Sequence, residues 1–140
     1  MIRLRPLSIV LVSCAVAVSA CGKSSTTPPL KELQRANAGQ LQVVLLSAAD
    51  ALKQGKDQFY LEVRSASDRH LVDVGTVKVS ATMPMAGMSP MIGATTVERT
   101  ETVGRYAVST DLGMAGSWRI GVEWDGPQGH GTATLPGTVR

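Results

Sequence analysis

Apolar and polar residues alternate with a period of two along much of the chain after residue 40. This spacing is typical of β-strands with one face in a core and the other in solvent. The longest example is segment 117–125, whose apolar face consists of Trp118, Ile120, Val122 and Trp124. We therefore expect both tryptophans to lie in a hydrophobic core.

Similar short segments recur between clusters of Gly, Pro, Asp and Ser, which are typical turn residues. The predicted strands are 41–47, 59–64, 75–82, 95–102, 105–110, 117–125 and 130–135. Turns are predicted at 55–57, 67–69 and 125–127, and the polar segment 95–102 is expected to be an edge strand. About seven short strands without a long helical period predict an all-β fold, an immunoglobulin-like antiparallel β-sandwich over residues 41–136.

Residues 1–20 have the three parts of a secretory signal peptide. Arg3 and Arg5 supply positive charge, residues 7–18 form an apolar run, and small residues directly precede Cys21. The run is shorter than a helix needs to cross a bilayer. A cysteine after small residues resembles the lipobox of bacterial lipoproteins, which implies lipidation of Cys21 and cleavage before it. The alternatives are a shorter signal peptide ending at Cys14 and an uncleaved anchor.

The segment 21–40 is predicted to be a tether between the lipid and the folded domain. Its first part, 22–29, is small, polar and proline-ended. Leu30, Leu33 and Ala36 share one face of a helix, which favours a brief helical turn before residue 41. Gly22 after the lipidated cysteine is not aspartate, and by resemblance to known sorting patterns this favours the periplasmic face of the outer membrane.

Cysteine use and charge narrow the function classes. The chain has two cysteines, one in the signal peptide and one at the lipidation position, so the folded part has no thiol for a disulfide. The formal net charge of +3 falls to +1 when Arg3 and Arg5 are removed with the signal peptide. The sequence has no basic stripe with interleaved aromatic residues, so no nucleic-acid partner is expected.

Methionines are concentrated in one short segment. Four of the five that follow the signal peptide fall within residues 83–91. The candidate metal ligands are Met85 and Met88 first, then Met83, Met91 and, in a separate loop, Met114. A thioether is a soft, neutral donor that favours Cu(I), and it remains a donor in an oxidising compartment. Because Pro84 and Pro90 bend this loop, it can bring several sulfurs to one ion.

Packing and partner binding are the alternatives to a Cu(I) site. Methionine fills irregular gaps in cores, and methionine-rich surfaces adapt to protein partners. Met83 continues the inward alternation of Val77, Val79 and Ala81, so it is a candidate core residue. His70 and His130 each follow a polar turn, where an imidazole either completes a copper or zinc site or is simply solvated.

Catalytic patterns are missing from the sequence, and we expect no enzyme. Ser109, Asp111 and Ser117 have no histidine near them in the sequence, and no Gly-x-Ser-x-Gly elbow is present. Neither a phosphate-binding loop nor a dinucleotide-binding glycine pattern occurs.

Four sequence features in order resemble the YtkA-like domain, a family related to FixH-like proteins. They are the strand 59–63, the Met-Pro-Met loop 83–88, the Gly-Arg-Tyr turn 104–106 and the segment 112–118 with Met-Ala-Gly before its tryptophan. The resemblance covers 41–135 and implies a β-sandwich outside the cytoplasm. It also implies copper or an assembly partner, because members often accompany heavy-metal efflux or respiratory oxidase assembly.

Overall fold

The computed structural model describes residues 28–140, which form eight antiparallel β-strands. The strands are β1 (Lys31–Ala38), β2 (Leu41–Ser47), β3 (Gly55–Ser65), β4 (Thr76–Met83), β5 (Met91–Arg99), β6 (Arg105–Leu112), β7 (Gly116–Gly126) and β8 (Gly129–Val139). Within residues 28–140 no helix has the length and apolarity that crossing a membrane requires. Cys14, Cys21 and the predicted signal peptide lie outside the described residues.

The eight strands form two sheets that share β5. Their order is β1-β2-β3-β6-β5-β4-β7-β8. Residues 91–93 of β5 pair with β4, whereas residues 94–99 pair with β6. The outermost strands β1 and β8 contact each other, so the structure is nearly closed. The all-β antiparallel prediction is confirmed, with eight strands where about seven were expected.

The core lies between the two sheets and is built from the inward face of each strand. Its largest fully buried side chains include Trp118 of β7 and Phe59 of β3. Trp124, also on β7, is 3 % exposed. Both tryptophans are therefore core residues, as the alternation in segment 117–125 predicts.

The helical turn expected within residues 30–40 is wrong, because these residues form β1 and pair with β2. A β-bulge between Glu32 and Gln34 inserts Leu33 as an extra residue. The bulge lets Leu33 and Ala36, three residues apart, both pack against the core. Their spacing imitates a helical face, and the ordered domain therefore begins within the segment predicted as tether.

Several other boundaries differ from the prediction. The turn expected at 125–127 lies at 127–128 because β7 extends to Gly126, and the strand expected at 130–135 spans Gly129–Val139. The turn expected at 55–57 is the start of β3. Asp57 accepts a hydrogen bond from the Lys53 N–H at 2.8 Å, and this bond closes the loop that precedes the strand. The strand expected at 95–102 spans Met91–Arg99, and Thr100 belongs to a turn in which its hydroxyl contacts the Arg105 carbonyl at 2.9 Å. Residues 94–99 have only β6 as a sheet partner, which agrees with an edge position.

Antiparallel pairing gives the sandwich two distinct ends. The odd-numbered strands begin, and the even-numbered strands finish, at the same end. That end carries Lys31, the first residue of β1, together with loops 48–54, 84–90 and 113–115. The opposite end carries the tight connections 39–40 and 127–128 and the loops 66–75 and 100–104.

Candidate metal centre

All five candidate thioether ligands lie at one end of the sandwich, which we call the methionine end. Met83 is the last residue of β4 and Met91 is the first of β5, while Met85 and Met88 lie in the loop between them. Met114 lies in the loop that joins β6 to β7. The fold thus brings the separate Met114 to the same end as the cluster in residues 83–91.

Met83 and Met91 face each other as a cross-strand pair. Both are half-buried and pack against the core cluster, which supports the core reading of Met83. Each thioether also lies close to a glycine of the β6–β7 connection, Gly116 at the start of β7 for Met83 and Gly113 in the loop for Met91. A Cβ atom added to Gly116 would come within 2.7 Å of Met83 Cε, and one added to Gly113 would lie 3.5 Å from Met91 Sδ.

Met85 and Met88 bracket a tight turn. The Met88 N–H donates a weak hydrogen bond to the Met85 carbonyl at 3.4 Å. Gly87 has a φ of +74°, a conformation that glycine adopts without strain. Met85 is half-buried, whereas Met88 is 63 % exposed. The turn therefore places one of the two first-choice ligands at the rim of the sandwich and the other in solvent.

The loop that carries Met114 is held by hydrogen bonds to both sides. The indole Nε1 of Trp118 donates to the Met114 carbonyl at 2.9 Å, and the Gln54 side-chain amide donates to the Gly113 carbonyl at 3.0 Å. The Met114 side chain remains 40 % exposed. A buried tryptophan thus fixes the backbone of this loop while its thioether stays accessible.

The two segments that carry the methionines are neutral and soft. Residues 83–91 and 113–116 contain no titratable side chain. Residues 28–140 contain no group of three or more His, Cys, Asp or Glu placed to hold a metal ion. Three chain segments, namely the end of β4 with its loop, the start of β5 and the β6–β7 loop, present thioethers that suit Cu(I).

The two histidines lie at the opposite end, which we call the histidine end. His70 and His130 both line a cleft of about 630 Å³ between the β1–β2 and β7–β8 connections. The Nδ1 atom of His70 forms a 2.5 Å hydrogen bond with Asp68. Hydrogen bonds from Ser65 and then from His70 lower the pKa of Asp68. Sequence reasoning considered these histidines separately and missed that they share one cleft.

Sequence reasoning also missed a buried ion cluster around Glu62 of β3. Arg105 donates to the Glu62 carboxylate through Nε at 2.8 Å, and Arg64 donates to its other oxygen at 2.8 Å. Burial opposes ionisation, but the hydrogen bonds from the two arginines outweigh it and lower the pKa of Glu62. Glu62 and Arg64 share one strand face because they are two residues apart, and this spacing was the available signal.

Fold and site together define a small antiparallel β-sandwich with a methionine-lined end. The model of the YtkA-like family matches residues 35–123, more than half of the chain. The chain belongs to the YtkA-like family, as the four sequence features predict, and this membership indicates an extracytoplasmic accessory domain. No curated protein matches the chain, and no solved structure matches it.

Proposed function

We propose that the protein is an exported, lipid-anchored accessory module that binds Cu(I) through thioethers of the methionine end and has no catalytic activity. The observation that carries the proposal is the position of Met114 at the same end of the fold as the cluster in residues 83–91. A random distribution of methionines in core gaps would not favour one end. Thioether donors on segments that carry no thiol and no carboxylate suit Cu(I) far better than zinc, calcium or magnesium.

The ligand set divides into a base and a cover. Met83 and Met91 form the base, because they are paired across the strands and pack against the core. Met85 and Met88 form the cover on the 84–90 loop, and Met114 approaches from the β6–β7 loop. Under this proposal Met85 and Met88 bind the ion together with at least one of the other three.

Lipid anchoring at Cys21 is the second part of the proposal. It is supported by the lipobox resemblance and by the extracytoplasmic character of the family. We expect Cys21→Ser to abolish lipid labelling and to impair signal-peptide cleavage, because the thioether to the lipid needs the sulfur. Labelling that survives Cys21→Ser but is lost with Cys14→Ser would move the anchor to Cys14. With this anchor, the module would lie on the periplasmic face of the outer membrane.

A protein-interaction or assembly module is the second candidate function. It is favoured by the exposure of Met88 and of Ile92, which are 63 % and 77 % exposed at the same end. Exposed apolar side chains of this size mark surfaces for partners when they lie close together. In both readings the partners we expect are copper-efflux or oxidase-assembly proteins.

Competition for Cu(I) against a chromophoric chelator tests the proposal on the full mature chain. Replacing Met85 and Met88 together by Leu keeps their volume and apolarity, so stability should change by less than about 1.5 kcal/mol per site. The same change removes two sulfur donors, and we expect Cu(I) affinity to fall at least tenfold. Ile92→Leu is the matched control, since it alters an exposed apolar side chain beside Met91 without touching a sulfur.

The outcomes separate the two functions. Loss of Cu(I) affinity in the double variant, with normal thermal melts and a normal Ile92→Leu control, supports the copper site. Equal competition by parent and double variant shows that these two residues do not bind the ion. Partner capture that falls in the double variant but is unaffected by Cu(I) favours the interaction module.

A further inference from the structure

The polypeptide enters the sandwich at the methionine end. Lys31, the first residue of β1, lies at the same end as the start of β5 and the finish of β4. Its ammonium group lies 2.6 Å from the Asp50 carboxylate of loop 48–54. The connection toward Cys21 therefore leaves the domain at the end that carries the methionines, opposite to the histidine cleft.

We propose that the methionine end contacts the bilayer surface when Cys21 carries its lipid. The inference rests on the proposed anchoring at Cys21. Residues 22–30 join the anchor to β1, and nine residues extend at most about 30 Å. A connection of this length keeps the methionine end at a high effective concentration near the membrane.

Apolar exposure is concentrated at the same end. Among residues 28–140, four large hydrophobic side chains are exposed, and three of them lie at the methionine end: Ile92, Met88 and Met114. The fourth, Val103, lies in the 100–104 loop at the histidine end. Apolar side chains that project from the anchored end are the part of the domain able to enter the headgroup region.

The charged side chains are also distributed unequally between the two ends. Within residues 28–140, we compare the charged side chains that have no ion pair. At the methionine end, four of them are basic (Lys53, Lys56, Arg119 and Arg140) and two are acidic (Asp57 and Asp111). At the histidine end, the acidic ones are Glu98, Glu101, Glu123 and Asp125, and the basic ones are Arg69 and Lys78. Anionic headgroups attract the first end and repel the second.

The bilayer surface is thus the occupant that fits all three observations: the short connection, the exposed apolar side chains and the excess of basic groups. A soluble protein partner would explain the apolar side chains but not the position of Lys31. In this orientation the cleft lined by His70 and His130 faces away from the membrane. The Cu(I) site would then exchange its ion at the membrane surface rather than in the bulk periplasm.

Fluorescence quenching on vesicles tests the orientation. The lipidated full mature chain is placed in vesicles of phosphatidylethanolamine and anionic phosphatidylglycerol that contain a headgroup-nitroxide lipid. One fluorophore is attached through Ser89→Cys in the 84–90 loop and, in a second protein, through Gln128→Cys in the β7–β8 turn. Both positions are exposed, and neither side chain is a proposed metal ligand.

We expect the label at position 89 to be quenched at least about threefold more than the label at 128, because strands of this length separate the two ends by about 30 Å. Equal quenching at both positions, or stronger quenching at 128, overturns the proposal. Vesicle flotation is measured on the same samples. A protein that does not float lacks the anchor, which refutes the anchoring at Cys21 and this orientation with it. Floating without differential quenching refutes the orientation alone.

A surface variant separates contact from simple tethering. The pair Ile92→Ser and Lys53→Gln removes an exposed apolar side chain and a basic group while the five methionines stay in place. If the methionine end itself contacts the bilayer, the ratio of quenching at 89 to that at 128 falls by at least half. An unchanged ratio means that tether length alone orients the domain, and the proposed surface contact is then wrong.

Discussion

The two ends of this sandwich differ in the chemistry that they present. The methionine end carries neutral thioethers backed by Gly113 and Gly116, and residues 83–91 and 113–116 have no titratable group. The histidine end carries a polar cleft lined by His70 and His130, with Trp124 in its wall. One fold therefore places the thioethers and the two imidazoles at opposite ends of its strands.

Each end also has its own tryptophan on β7, and the two tryptophans have different structural roles. Trp118 is 1 % exposed and hydrogen-bonds the Met114 carbonyl, so it supports the methionine loops. Trp124 packs so closely on Gly131 that an added Cβ would lie 2.3 Å from its ring. At the methionine end, flexible thioether side chains thus lie over the buried Trp118. At the histidine end, the ring of Trp124 itself lines the cleft.

Removing Trp118 should have the largest effect. We expect Trp118→Ala to lower the free energy of unfolding by about 3–5 kcal/mol, because a large buried aromatic leaves a cavity. Denaturant unfolding measures this, and Trp124→Ala is the comparison at the other end. If Trp118→Ala unfolds at the same denaturant concentration as the parent, then this ring does not support the methionine end.

A methyl group added at each end sharpens the contrast between rigid and flexible neighbours. Gly131→Ala should destabilise the domain by about 1–3 kcal/mol, because the new Cβ would lie 2.3 Å from the ring of Trp124, and this nearly buried side chain would have to shift. Gly113→Ala should change stability by less than about 1 kcal/mol, because the new Cβ lies 3.5 Å from Met91 Sδ in ordinary contact. Thermal melts of both variants measure the difference, and equal effects would contradict it.

Acid should act on the sandwich through Glu62, which pairs with Arg105 in the half nearer the histidine end. Because folding lowers the pKa of Glu62, its stabilising contribution is present above the ordinary value of 4.5 and is lost as the pH falls below it. Glu62→Gln should destabilise the protein by about 1–3 kcal/mol at neutral pH. It should also flatten the loss of stability below pH 4.5, as measured by unfolding across a pH series. An unchanged acid profile would assign that loss to other carboxylates.

Replacing the histidines should have the smallest effect. His70 and His130 are exposed, so His70→Gln and His130→Gln should each change stability by less than about 0.5 kcal/mol. Neither should change Cu(I) competition, because both residues lie at the end opposite to the methionines. A Cu(I) affinity that falls in either variant would move the metal site to the histidine cleft.

Local patterns in the sequence predicted the parts of the molecule that depend on near neighbours. Period-two alternation identified β7 and its buried tryptophans, and the clustering in residues 83–91 identified the thioethers. Long-range features had no local signal. The shared cleft of His70 and His130 depends on how loop 66–75 and the β7–β8 hairpin are placed at one end of the sandwich. The β-bulge at Leu33 made the local pattern misleading, because it gives the apolar residues of a strand the three-residue spacing that is typical of a helix.

The sharing of β5 between the two sheets has a consequence for cooperativity. Its first residues pair with β4 and its later residues pair with β6, and the Thr95 hydroxyl donates to the Val79 carbonyl at 2.6 Å where the sheets diverge. The sheets therefore cannot separate at the methionine end without breaking the pairing of residues 91–93 of β5 with β4. Under the proposed function, an ion or partner would therefore reach Met83 and Met91 through movement of loops 84–90 and 113–115, because opening the sandwich itself would unfold the domain.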